Sequence, residues 1–77
     1  MAKVIVYSTQ SCPFCHMAKD FFKGQNIEFE DVDVNSDQQG LDDMIKKSGQ
    51  SAVPVIDIDG KIIVGFNEQA IKEALKL

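Results

Sequence analysis

The stretch Val4-Ile5-Val6-Tyr7-Ser8-Thr9-Gln10-Ser11-Cys12-Pro13-Phe14-Cys15 holds a change of hydrophobic period, and that change decides the fold. Lys3 to Tyr7 is β-branched and aromatic, which reads as a buried strand, and Ser8 to Ser11 is a polar loop. From Pro13 onward Phe14, Ala18, Phe21 and Phe22 fall at helical spacing. Pro13 suits a first helical turn, where its missing N–H is not needed. Lys23 and Gly24 provide a cationic last turn and a terminating glycine. A strand that runs through a short loop into a helix places Cys12 at the helix N-terminus.

The rest of the chain extends this unit. Ile27, Phe29, Val32 and Val34 predict a second strand, with Glu28, Glu30, Asp31 and Asp33 as the wet side of a sheet edge. Ser36 as N-cap with Gln39 at N3 fits a capping box. Leu41, Met44 and Ile45 then mark the core face of a second helix, Lys46 and Lys47 complement its C-terminal dipole, and Ser48-Gly49 ends it. Val53–Ile58 and Lys61–Val64 read as strands joined at Asp59-Gly60, a type I′ hairpin signal. Asn67 is the expected N-cap of a last helix burying Ala70, Ile71, Ala74 and Leu75. The order is βαβαββα: one α/β domain over residues 1–77.

Composition narrows the function. Seventy-seven residues with 44% hydrophobic and 26% charged side chains make a small globular domain. The apolar runs are too short to cross a bilayer, and Val4 to Tyr7 is too short and too β-branched for a signal peptide. The cytoplasm is therefore the expected compartment, with no membrane partner. A net charge of −4 argues against a nucleic-acid surface. All eight basic residues are lysines, so no guanidinium fork is available to grip phosphate or carboxylate.

The two cysteines carry the chemistry. In a reducing compartment a Cys-x-x-Cys pair reads as redox chemistry or half a metal site. Tetrahedral zinc needs four ligands, and the chain offers two cysteines and His16, so no metal is expected. At a helix N-terminus the Cys12 sulfur faces free N–H groups and the positive end of the dipole, which favour thiolate. Acidifying a thiol raises its thiolate fraction but lowers its nucleophilicity with a Brønsted slope of ~0.4–0.5, so the main gain is a better leaving group. Cys12 is thus the expected nucleophile and leaving sulfur, and Cys15, one turn inward, the resolving thiol. His16 could favour thiolate as an imidazolium, or be a solvated surface histidine. Phe14 could pack on substrates or turn into the core. Pro54 could follow a cis peptide or sit as a strand-entry proline at a sheet edge.

Tyr7-Ser8-Thr9-Gln10-Ser11-Cys12-Pro13-Phe14-Cys15 resembles the active-site entry of glutaredoxins. Ala52-Val53-Pro54 is similar to their Thr-Val-Pro segment, and Val64-Gly65-Phe66-Asn67 to their Gly-Gly-Cys/Phe-Asp turn. The resemblance spans nearly the whole chain. It implies a thioredoxin-like fold with a four-stranded mixed sheet and three helices, a redox-active Cys12–Cys15 disulfide, and a cis peptide before Pro54 facing Cys12. Val53 could then pair with an extended substrate as an added strand. It also implies glutathione as reductant or co-substrate, with no tightly bound cofactor, and substrate or glutathione contacts at Thr9, Phe14, Val53, Pro54, Gly65, Asn67 and Glu68.

The chain departs from the family pattern at the glutathione clamps. Thr9 stands where many members have Lys, Leu41 where many have a basic or amide residue, Asn67 for the usual Asp, and Val64 for the first Gly. The N–H groups of Asn67 and Glu68 at the last helix could still hold a carboxylate, and Lys46 or Lys47 could supply a lost cation. The expected activity is a dithiol thiol–disulfide oxidoreductase acting as a monomer on protein disulfides or glutathione mixed disulfides. A second possibility is a redoxin recharged by a flavin-dependent thioredoxin reductase and serving ribonucleotide reductase or a peroxidase. A third is a module bridging an iron–sulfur cluster with glutathione, which the stiff Pro13 turn disfavours.

Overall fold

The period-two alternation of the strands divides the core into two layers, one on each face of a single sheet. A computed structural model describes residues 3–76. The elements are β1 (Val4–Ser8), α1 (Pro13–Gly24), β2 (Glu30–Asp33), α2 (Gln38–Ser48), β3 (Val55–Ile58), β4 (Lys61–Val64) and α3 (Glu68–Leu75). The sheet order is β2-β1-β3-β4. β1 and β2 are parallel, with Tyr7 opposite Val32, while β3 runs antiparallel to both β1 and β4. This is the mixed sheet with three helices anticipated from the sequence.

On one face Val4, Val6, Ile56, Ile58 and Ile63 meet Ala18 and Phe22 of α1 and Ile71 of α3. Phe21 closes this layer edge-on against both Phe22 and Phe66. On the other face Tyr7, Val34 and Val55 meet Met44 of α2, with Leu41, Val32 and Ile62 around them. The alternate residues of β1 thus feed both layers, which fixes its register, because a one-residue slip would exchange the faces.

Several boundaries differ from the expected ones. β1 begins at Val4 and includes Ser8, which is buried although it was expected in the loop. Lys3 instead ties to the hairpin turn: its amide donates to Asp59 Oδ1 at 2.7 Å, and its carbonyl accepts from the Asp59 amide at 2.9 Å. The α2 N-cap is Asp37, one residue beyond Ser36, with Asp37 Oδ1 accepting from the Gly40 amide at 3.0 Å. A carboxylate is the stronger acceptor beside the positive helix end, and Ser36 is taken into a turn on the Asp33 carbonyl. Ile45 is exposed rather than core-facing, because α2 covers the sheet only along the Leu41–Met44 stripe. Asp59 and Gly60 both have positive φ, as the type I′ hairpin requires. The acidic β2 is indeed an edge strand.

Gly40 allows α2 to approach the sheet, since a Cβ there would run into Cγ1 of Val32. Behind α2, Lys47 Nζ donates to Asp57 Oδ2 and to Tyr7 Oη, each at 2.7 Å, while Asp57 Oδ1 accepts from the Gly60 amide. Both partners hold the Lys47 ammonium in its charged form and push its pKa up.

Candidate active site

The topology gathers three chain segments at one end of the sheet. β1 delivers the chain at Ser8 into the Thr9–Cys12 loop, and α1 leads away from it. Tyr7 lies opposite Val55, which brings Val53-Pro54 alongside that loop. Val55 lies opposite Val64, which brings Gly65 next to Pro54, and the Gly65 amide donates to the Pro54 carbonyl at 2.8 Å. Gly65 has φ of +80°, in the left-handed region that favours glycine, and this lets the chain turn from β4 into α3. The Val53–Pro54 peptide is cis.

Cys12 is the N-cap of α1, with extended backbone and Pro13 immediately inside the helix. Its amide donates to the Thr9 carbonyl at 3.4 Å and its carbonyl accepts from the His16 amide at 3.2 Å. Its sulfur accepts from the Cys15 amide at 3.2 Å, in the position a serine or aspartate cap would occupy. Cys12 is half-buried, so a substrate sulfur can reach it, whereas Cys15 is 0% exposed.

That burial, followed by its hydrogen bond to Cys12, pushes the Cys15 thiol up to about 12. A Thr9 backbone hydrogen bond and the Lys19 charge act in the opposite direction. The two thiols are therefore unlike in access. Both are free cysteines here.

The other anticipated residues divide. Phe14 points to solvent at 59% exposure and stands with the exposed Met17 on the outer face of α1. Thr9, Val53, Pro54 and Gly65 come together around the loop end. Asn67 caps α3, its Oδ1 accepting from the Ala70 amide, but its own amide already donates to the Gly65 carbonyl at 3.1 Å. Leu41 packs against the second core layer instead of presenting a clamp. Lys47 is committed to Asp57 and Tyr7. His16 is engaged by the loop: its Nε2 lies 2.7 Å from the Gln10 carbonyl, so that nitrogen carries the proton and ties the loop to α1. Among the described residues no cluster of metal-ligating side chains occurs, and no helix is long and apolar enough to cross a membrane.

One network escaped the sequence reading. Lys19 pairs with Asp31 at 3.1 Å, and Asp31 accepts from the Ser8 hydroxyl at 2.8 Å. The available signal was that Lys19 lies four residues after Cys15 on the same helix face.

The family model for glutaredoxin matches residues 4–63. The chain belongs to the glutaredoxin family. It is 46% identical over 71 residues to a glutaredoxin-like 8.6 kDa protein of the rubredoxin operon in Clostridium pasteurianum, covering 92% of this chain and 95% of that one. It is 34% identical over 68 residues to glutaredoxin 3 of Escherichia coli K12, covering 88% and 82%. Among solved structures, the glutaredoxin from Archaeoglobus fulgidus superposes with a TM-score of 0.87 at 27% identity, over 100% of this chain and 89% of that one. The glutaredoxin family implies thiol–disulfide oxidoreductase activity in general, and both free thiols of this chain lie at the start of α1.

Proposed function

We propose that the chain reduces disulfides by a dithiol mechanism in which Cys12 attacks and Cys15 resolves. The observation that carries this reading is the pairing of a half-buried sulfur, hydrogen-bonded at a helix N-terminus, with a wholly buried thiol one residue pair deeper. The Cys12 thiolate attacks one sulfur of the substrate disulfide and the other sulfur departs with the electron pair. Cys15 then attacks the Cys12 sulfur and releases the second substrate thiol, leaving the Cys12–Cys15 disulfide. In this second displacement Cys12 is the sulfur attacked and the substrate sulfur is the leaving group, so the more acidic the substrate thiol the faster it departs. Phe14 offers an apolar contact beside the reacting sulfur, and Val53 offers backbone groups to an extended substrate strand.

The substrates are protein disulfides or glutathione mixed disulfides. Three observations weaken the grip on glutathione, which leaves a flavin-dependent thioredoxin reductase as the alternative reductant. Leu41 is packed inward, Lys47 is engaged behind α2, and the Asn67 amide is taken by Gly65, leaving the Glu68 amide to meet a carboxylate. Each charge-assisted bond forgone costs about 1.5–3 kcal/mol. Reduction of a protein disulfide is measured with NADPH plus either glutathione and glutathione reductase or thioredoxin reductase. Faster turnover with thioredoxin reductase is expected. Turnover with glutathione alone would overturn the donor assignment, and turnover with neither would overturn the oxidoreductase reading.

A further inference from the structure

Cys15 reacts only as its thiolate, and its surroundings mostly oppose that form. It is fully buried and lies against the Cys12 sulfur, and of the groups that act on it only the Thr9 backbone and Lys19 favour the anion. Lys19 is four residues further along α1, one turn deeper on the same face. Its side chain is only 14% exposed, far less than a freely solvated lysine. Asp31, from β2, pairs with its ammonium at 3.1 Å. Asp31 is itself fixed by the hydroxyl of Ser8, the buried last residue of β1, at 2.8 Å. Three elements thus each give one side chain to a network that fixes a cation one helical turn along α1 from Cys15. His16, the nearest other titratable group on α1, is turned to the Gln10 carbonyl.

We propose that Lys19 is a positioning residue for the second displacement: its ammonium, fixed by Asp31 and Ser8, stabilises Cys15 as a thiolate while it attacks the mixed disulfide on Cys12. The inference rests on the reading of Cys15 as the resolving thiol. In that step a bond forms between the two protein sulfurs and the bond from Cys12 to the substrate sulfur breaks. The electron pair leaves with the substrate sulfur, and the proton given up by Cys15 ends on that thiolate. The substrate is reduced to a thiol and the dithiol oxidised to a disulfide. Lys19 keeps its proton throughout and acts through its field.

A chromogenic aromatic disulfide tests this by stopped flow. Attack by Cys12 releases one coloured thiolate and resolution by Cys15 releases the second, so the two steps are read separately. A unit charge one helical turn away, in a medium between protein and water, corresponds to about a tenfold change in thiolate population. The more basic thiolate regains about threefold in nucleophilicity, so Lys19→Gln is expected to slow the second phase about threefold at pH 7, with a smaller effect on the first. It should also displace the pH profile of the second phase upward by about one unit. Lys19→Arg should restore both rate and profile. Lys19→Met, which keeps the apolar stem in place, should behave as Lys19→Gln and separates charge from packing. A second phase within twofold of wild type with an unmoved profile in Lys19→Gln and Lys19→Met would overturn the proposal, as would an arginine variant as slow as the glutamine one. Cys15→Ser should lack the second phase. If it instead released both equivalents at the wild-type rate, the resolving role would fail, and the Lys19 proposal with it.

Discussion

Cys15 should be nearly inert in the folded protein when it is the only thiol present, and the structure sets the size of that effect. In Cys12→Ser the burial of Cys15, which is the largest cause of its shift to about 12, is untouched. At pH 8 a thiol raised to about 12 is ionised to ~1 part in 10⁴, against about a tenth for one at the ordinary value of 9.0, a ratio of ~900. The more basic thiolate is intrinsically more nucleophilic, and a Brønsted slope of ~0.4–0.5 over ~3 units returns a factor of ~16–32. The net expectation is a reaction with a small disulfide about 30- to 60-fold slower folded than unfolded. The lower end applies here, because part of the shift comes from Cys12 itself. The assay compares the pseudo-first-order rate in buffer with that in denaturant, by mass spectrometry. The folded rate should still climb close to tenfold per unit between pH 8 and 10, while the unfolded rate levels off above pH 9. A folded rate within threefold of the unfolded one, or a plateau at pH 9, would refute the buried, strongly basic Cys15.

Other consequences follow from the same contacts. Stability should fall at alkaline pH, because folded Cys15 and Lys47 both hold their protons above their ordinary values of 9.0 and 10.5. Their contributions are complete below those values and are lost as pH rises through the raised ones. Denaturant titrations at pH 8 and 11 should register a smaller loss in Cys15→Ala than in wild type. Lys47→Met strands Asp57, whose side chain is 10% exposed, with the Gly60 amide as its remaining donor. Breaking a buried pair costs ~3–5 kcal/mol, and discounting for the part-exposed lysine leaves ~2 kcal/mol, or a melting temperature about 8–16 °C lower. Gly40→Ala gains ~1 kcal/mol of helix propensity but collides with stiff Val32 at a cost of ~1–3 kcal/mol, so a net loss of about 1 kcal/mol is expected in urea titrations.

Most of this fold was legible because its signals are local. The change from period two to period 3.6 across Tyr7 to Phe22, the Asp59-Gly60 hairpin and the Asn67 cap are each set within a few residues, and all three stand in the structure. The placement of Cys12 at a helix start followed from the same local pattern. What could not be read depends on partners distant in the chain. Asp31 looked like one more wet residue of an edge strand, because its partners lie on β1 and on α1. Lys47 looked free because Asp57 and Tyr7 reach it only after α2 docks on the sheet. The exposure of Ile45 reflects how narrowly α2 covers the sheet, and helical periodicity alone does not fix that width.

The division of labour between Cys12 and Cys15 is most directly tested by trapping. Cys12→Ser and Cys15→Ser proteins are each incubated with a disulfide-bonded protein substrate and quenched with acid. Mixed disulfides are then counted by non-reducing electrophoresis and mass spectrometry. Cys15→Ser should accumulate one long-lived mixed disulfide on Cys12, and Cys12→Ser should accumulate none. A mixed disulfide on Cys15 in the Cys12→Ser protein, or full substrate reduction by Cys15→Ser without an accumulated intermediate, would contradict the account.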